Sequence, residues 1–155
     1  MKPEFPSDNK YIEVVHTLDK WQLRLTTGNC GIFAVALQEV FQTGTLFTVG
    51  DFAHILLKHN GKFYDGETIY PSIEELKLSH WGQYFHEEPD DRTNFEDFKP
   101  DEAYDIIQSN TNCTHSKEFF EDILKSKFEL VPEHHQITLD ENYTVNDTIK
   151  ELSTV

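Results

Sequence analysis

Ala53-His54-Ile55-Leu56-Leu57-Lys58-His59-Asn60-Gly61-Lys62-Phe63-Tyr64-Asp65-Gly66 reads as a β-hairpin folded about its Asn-Gly step. Asn-Gly suits the two positive-φ positions of a type I′ turn, whose twist matches that of paired antiparallel strands. Residues 51–58 form the first strand and residues 62–65 the return. With Asn60 and Gly61 as the turn, His59 faces Lys62, and partner numbers sum to 121. Leu56 then faces Asp65, and His54 faces Glu67. Side chains alternate faces with period two, so His54, Leu56, Asp65 and Glu67 share one face. Asp65 is the diagonal neighbour of His54, with Cα atoms roughly 7–8 Å apart and side chains within reach. A carboxylate at that place can hold an imidazole in one tautomer. A one-residue bulge would turn Asp65 to the other face and leave the role to Glu67 or to an amide.

Upstream lies Thr26-Thr27-Gly28-Asn29-Cys30-Gly31-Ile32, followed by Phe33, Ala34, Val35, Ala36, Leu37, Val40 and Phe41. Thr27 or Asn29 can cap a helix here, and the run is apolar nearly all round, as in a helix buried on most sides. Thr43-Gly44-Thr45 ends it. Cys30 therefore stands at a helix N-terminus, where free amides and the positive end of the dipole favour a thiolate. A free thiol titrates near 8.5, and such a site beside a cationic histidine lowers this to about 3.5–7.5. The amides of Cys30 and Gly31 are placed where an oxyanion would form. A thiol nucleophile works with a histidine base, and the base with an orienting acceptor. Cys30, His54 and Asp65 supply those three parts in the elements the chemistry needs.

The rest of the chain is read more coarsely. Residues 1–10 read as an unstructured lead-in, and 11–25 as either a helix or a strand and turn. Ser72 caps a short helix, with Glu75 completing a capping box. Residues 86–102 hold eight acids and two bases and read as a solvated loop. Residues 101–109 and 116–128 carry helical periodicity, and 136–152 suit a strand and a last short helix. Trp81, in His80-Trp81-Gly82, is read as a packing residue at the border of the site. Cys113-Thr114-His115 with His134-His135 lacks the usual zinc ligand spacing, so no metal and no cofactor is expected.

Composition bounds the function. The chain has 155 residues, with 37% hydrophobic and 13% aromatic residues, and a formal net charge of −15. That is one domain with enough apolar material for its own core. The negative charge repels phosphate backbones, so nucleic acid is not an expected partner. No apolar run reaches 18 residues, so no membrane span is expected. Without an apolar leader the expected compartment is the cytoplasm, with Cys30 and Cys113 as free thiols.

Three segments together carry a family likeness: residues 28–34, 53–57 and 61–66. They resemble the papain-like superfamily in its broad sense, above all transglutaminase-like proteins, bacterial cell-wall cysteine amidases and small bacterial and prophage proteins with a Cys-helix and a His strand. The resemblance spans about residues 22–82. It implies an α+β fold: a papain-like core in which the helix that opens with Cys packs on an antiparallel sheet. The resulting organisation is one domain over 1–155, with a catalytic core over 11–82 and an acidic loop and helical C-terminal part over 83–155. The resemblance implies a cysteine-dependent hydrolase acting on an amide, peptide or isopeptide bond through a thioester, with water or an amine resolving it. Cys30 is then the nucleophile, His54 the base and Asp65 its orienting group. Asn29, Gly31 and Gln22 are the residues expected to serve the oxyanion or the substrate, a peptide or protein amide. The alternative is a non-enzymatic acidic protein that docks on a basic protein partner, with Cys30 and His54 as core packing.

Overall fold

The computed structural model describes residues 3–26, 28–50, 52–86, 100–111 and 113–130. The first helix, α1 (Asp8–Asp19), starts where Ser7 caps the Lys10 amide with its hydroxyl. It buries Tyr11, Val14, Val15 and Leu18, a stripe of helical period. The expected unstructured lead-in is therefore corrected. Helix α1 begins inside it, and Phe5 packs against the rings of Phe41, His59 and Tyr64. The ambiguity over 11–25 resolves as helix to Asp19 followed by an irregular segment.

Helix α2 (Cys30–Phe41) is buried from Cys30 through Leu37, as its unbroken apolar run requires. A four-stranded antiparallel meander follows: β1 (Thr45–Val49), β2 (His54–His59), β3 (Lys62–Tyr64) and β4 (Ile69–Tyr70), in that spatial order. Strand β1 is absent from the sequence expectations. Its five residues follow the helix too closely for their alternation to stand out. The β2–β3 pairing is the one expected, with Leu57 facing Tyr64, Lys58 facing Phe63 and His59 facing Lys62. Asn60 and Gly61 both have positive φ, at 51° and 79°, as a type I′ turn demands. Strand β2 begins at His54 rather than 51, because positive φ at Gly50 and Phe52 bends the β1–β2 connection.

Helix α3 (Ile73–Leu78) carries the expected Ser72 cap on the Glu75 amide and leads into a 3₁₀ segment, His80–His86. Helices α4 (Pro100–Asn110) and α5 (Lys117–Lys127) complete the described chain. Both pack on α2. Ile107 of α4 and Phe119, Phe120, Ile123 and Leu124 of α5 join α1 and α2 in one core. The C-terminal helices are therefore continuous with the core that holds Cys30. Helix α2 lies between β2 on one side and α4 and α5 on the other. Gly31 makes that approach possible: a Cβ there would stand 2.5 Å from Ile107 Cγ2 and 2.8 Å from Ile55 Cδ1. A second, smaller cluster gathers Val49, Leu56, Phe63, Tyr70, Leu76 and Trp81 on the other face of the sheet. The fold is α+β, with an antiparallel sheet and its helices.

Candidate active site

Asp65 follows β3 directly, and its backbone amide donates to Thr68 O at 3.2 Å in the turn before β4. Its carboxylate is held on three sides. Oδ1 accepts from the amides of Glu67 and Thr68, both at 2.8 Å, and Oδ2 lies 2.7 Å from His54 Nε2. The Tyr11 hydroxyl donates to the Asp65 carbonyl at 2.7 Å, tying α1 to the same turn. The diagonal relation derived from the hairpin register thus brings imidazole and carboxylate into contact. Glu67 contributes its backbone amide and is itself exposed.

A carboxylate only accepts, so Nε2 of His54 carries the proton of that bond and Nδ1 is left for another group. The other side chain that acts on the ring is Cys30, as a hydrogen-bonding and charged neighbour. Nδ1 itself is buried and makes no hydrogen bond of ordinary geometry. Thiol and ring are therefore adjacent, with the bond between them still to be closed. Apo catalytic contacts are commonly long in this way and tighten with substrate.

Both partners of the ion pair are nearly inaccessible, His54 at 0% and Asp65 at 2%, and Cys30 is exposed by 6%. Burial by itself pushes the imidazolium pKa down. The hydrogen bond that His54 donates to Asp65, the contact with Cys30 and the charge of both more than reverse this and push it up to about 9. A histidine that ordinarily titrates near 6.5 is then held as a cation beside a thiol at neutral pH. The Trp81 indole covers the imidazole face, with ring centroids 3.7 Å apart and planes 6° from parallel. It shields the His54–Asp65 bond from water and gives the cation a π surface. In sequence Trp81 reads as packing alone; its stacking partner lies 27 positions away, and no local pattern reports it.

The other expected site residues sit differently. Asn29 precedes α2 but makes no side-chain cap. Its amide nitrogen donates to Leu23 O at 2.9 Å and to Thr114 Oγ1 at 2.8 Å, and its oxygen accepts from Thr114 N at 2.8 Å. Both side-chain hydrogens are thus occupied, and Asn29 acts as a fully buried tie between two loops. Gly31 presents its α-carbon to Ile107 and Ile55, so a packing need explains it, while its backbone amide stays in the first turn of α2. Gln22 is exposed with φ of 51° and lines a cavity of about 780 Å³, which none of Cys30, His54 and Asp65 lines. Gly66, Glu67 and His80 line the same cavity, next in sequence to Asp65 and Trp81. Cys113 and His115 turn to separate partners, Thr111 and Thr114. Among the described residues no group of three His, Cys, Asp or Glu converges as metal ligands. His134 and His135, most of the acidic 86–102 window and the strand and helix expected over 136–152 lie outside the described residues.

Comparison with known protein families, curated proteins and solved structures finds no match. The functional reading therefore rests on the geometry. Among the described residues no helix is long and apolar enough to cross a membrane.

Proposed function

We propose that the chain is a cysteine-dependent hydrolase of papain-like type, acting on an amide, peptide or isopeptide bond. The observation that carries the reading is the His54 Nε2–Asp65 Oδ2 contact of 2.7 Å, buried beside the Cys30 thiol at the start of α2. A protein that needed only a stable core would gain nothing by burying this pair. Its desolvation can equal its attraction, and an apolar pair of similar volume is often as stable.

In the proposed reaction Cys30 and His54 stand as a thiolate–imidazolium pair, the thiol proton already on His54, and the thiolate attacks the substrate carbonyl. Asp65 holds the imidazolium. The amides of the first turn of α2 face the developing oxyanion. His54 returns the proton to the departing amine, leaving an acyl thioester on Cys30. Water deprotonated by His54, or a second amine, resolves that thioester. Water makes the protein a peptidase, amidase or deamidase, and an amine makes it a transferase. The cytoplasm is the compartment we expect, with peptide or protein amides as substrates.

Intact-mass spectrometry of acid-quenched mixtures with a panel of short peptide amides tests this. An acyl adduct on Cys30 is expected, absent from Cys30→Ala and accumulating less in His54→Ala. A panel that yields neither adduct nor turnover, with Cys30 no more reactive than an ordinary thiol, refutes the hydrolase and favours an acidic binding protein. The net charge of −15 is the observation that keeps that second reading in view.

A further inference from the structure

The segment joining α1 to α2 is held in an alternating conformation. Gln22 and Arg24 have left-handed φ, 51° and 56°, which non-glycine residues rarely adopt. Between and after them, Leu23 and Leu25 are buried in the core. All four residues line the cavity, the leucines buried at its base and Gln22 and Arg24 exposed. The strain is fixed from below. Leu23 O accepts from the Asn29 side chain at 2.9 Å, and Arg24 O accepts from the Asn29 amide at 3.1 Å. The Leu25 side chain closes on Gly66, where a Cβ would collide with it. Backbone strain held this firmly at a cavity wall is a reason to look for function there.

The charges of that wall are of both signs and unspent. Arg24 is one of two arginines in a chain of net charge −15. Among the described residues its guanidinium has no ion-pair or hydrogen-bond partner, and neither do the carboxylates of Asp19 and Glu67 on the same cavity. Glu67 belongs to the turn whose amides hold the Asp65 carboxylate. The His80 ring lies tilted against Trp81, with centroids 4.3 Å apart, and Trp81 covers His54. The cavity thus borders the triad through two short relays, and its volume of about 780 Å³ lies in the range of small-ligand sites.

We propose that this cavity is the substrate-recognition subsite and that it takes a short zwitterionic peptide. Arg24 receives the carboxylate, and Glu67 with Asp19 receives the ammonium. The assignment rests on the hydrolase reading for its meaning as a substrate site, while the binding it requires is measurable without turnover. Gln22 and Arg24 are specificity residues here, since neither is placed at the thiol.

Trp21 and Trp81, the two tryptophans of the chain, adjoin lining residues Gln22 and His80, so intrinsic fluorescence reports occupancy. The probes are triglycine, N-acetyl-triglycine and triglycinamide. Triglycine is expected to give a saturable change, and each blocked form to bind about tenfold more weakly, as loss of one charge-assisted hydrogen bond implies. Arg24→Gln should reduce triglycine binding to the level of triglycinamide and leave triglycinamide itself unchanged. Glu67→Gln should do the same for the N-acetyl form. Equal binding of all three probes, no saturable change, or an Arg24→Gln variant that binds triglycine like the parent overturns the proposal. Cys30 alkylation by iodoacetamide, measured in the same samples, separates the two readings. A reactive Cys30 with no triglycine binding removes only the zwitterion site. An inert Cys30 with the expected probe selectivity removes the hydrolase and keeps the site.

Discussion

Two ion pairs flank α2, and they live under opposite physical conditions. Lys117 on α5 reaches Glu39 near the C-terminal end of α2 at 2.9 Å, with both side chains partly in water. His54 and Asp65, beside the N-terminal end, meet at 2.7 Å with side chains 0% and 1% exposed. The first pair is half-buried: burial works against both charges, the water that still reaches them weakens their attraction, and the contribution is about 0–1 kcal/mol. The second carries a desolvation cost of several kcal/mol per ion before any attraction is counted. It is offset in part, because two turn amides hold the other oxygen of Asp65 and the neighbouring thiol acts on the His54 ring. Each is easy to account for at its own end of the helix. What differs is that stability alone explains the outer pair and does not explain the inner one.

Breaking the inner pair should give the largest effect. His54→Ala leaves a buried carboxylate and a cavity under Trp81, and a loss of about 3–5 kcal/mol is expected in chemical denaturation. A loss below about 1 kcal/mol, the range of exposed pairs, would place the pair in water and remove the contrast. The pair also has a pH signature with a definite sign. The folded-state pKa of His54 is raised, to about 9 from 6.5. Its stabilisation is therefore complete below pH 6.5 and is lost as pH rises through 9. The parent minus His54→Ala difference in unfolding free energy should shrink by a few kcal/mol between those limits, at about 1.4 kcal/mol for each pH unit crossed. A flat difference contradicts a buried imidazolium.

Asn29→Ala should come next. It strips one buried and two part-buried hydrogen bonds and frees the loops at Leu23 and Thr114, for a loss of about 2–3 kcal/mol. It should also slow Cys30 chemistry, because the strained wall and the first turn of α2 lose their common anchor. Gly31→Ala forces a methyl against Ile107 and Ile55, with an expected loss of about 1–3 kcal/mol in thermal melts. Lys117→Ala should cost under about 1 kcal/mol, and less at high salt, where the half-buried pair is screened in part. A loss for Lys117→Ala as large as for His54→Ala would show that depth does not separate the pairs.

What was legible in the sequence follows the range of the interactions. The Asn60-Gly61 turn fixes its own register within a few residues, and that register alone leads from His54 to Asp65. The Ser72 cap and the all-apolar face of α2 are equally local. The roles of Asn29 and Trp81 depend on partners at Thr114 and His54, 85 and 27 positions away, and residue spacing does not carry such distances. Asn29 has the signal of a helix cap, and tertiary contacts take its side chain instead. The start of α1 is hidden for a different reason. Pro3, Pro6 and several charges read as solvated chain, while Ser7 and the buried Tyr11-Val14-Val15-Leu18 stripe decide otherwise.

The central claim is that Cys30 and His54 form a thiolate–imidazolium pair. Its most direct test is the rate of iodoacetamide alkylation of Cys30 from about pH 4 to about pH 10, resolved by peptide mass spectrometry, with Cys113 as the internal reference and His54→Ala alongside. The account predicts that Cys30 reacts well below about pH 8, ahead of Cys113, and that His54→Ala removes this low-pH reactivity. It is contradicted if Cys30 rises only near the ordinary thiol value of about 8.5 in both proteins, or stays inert throughout.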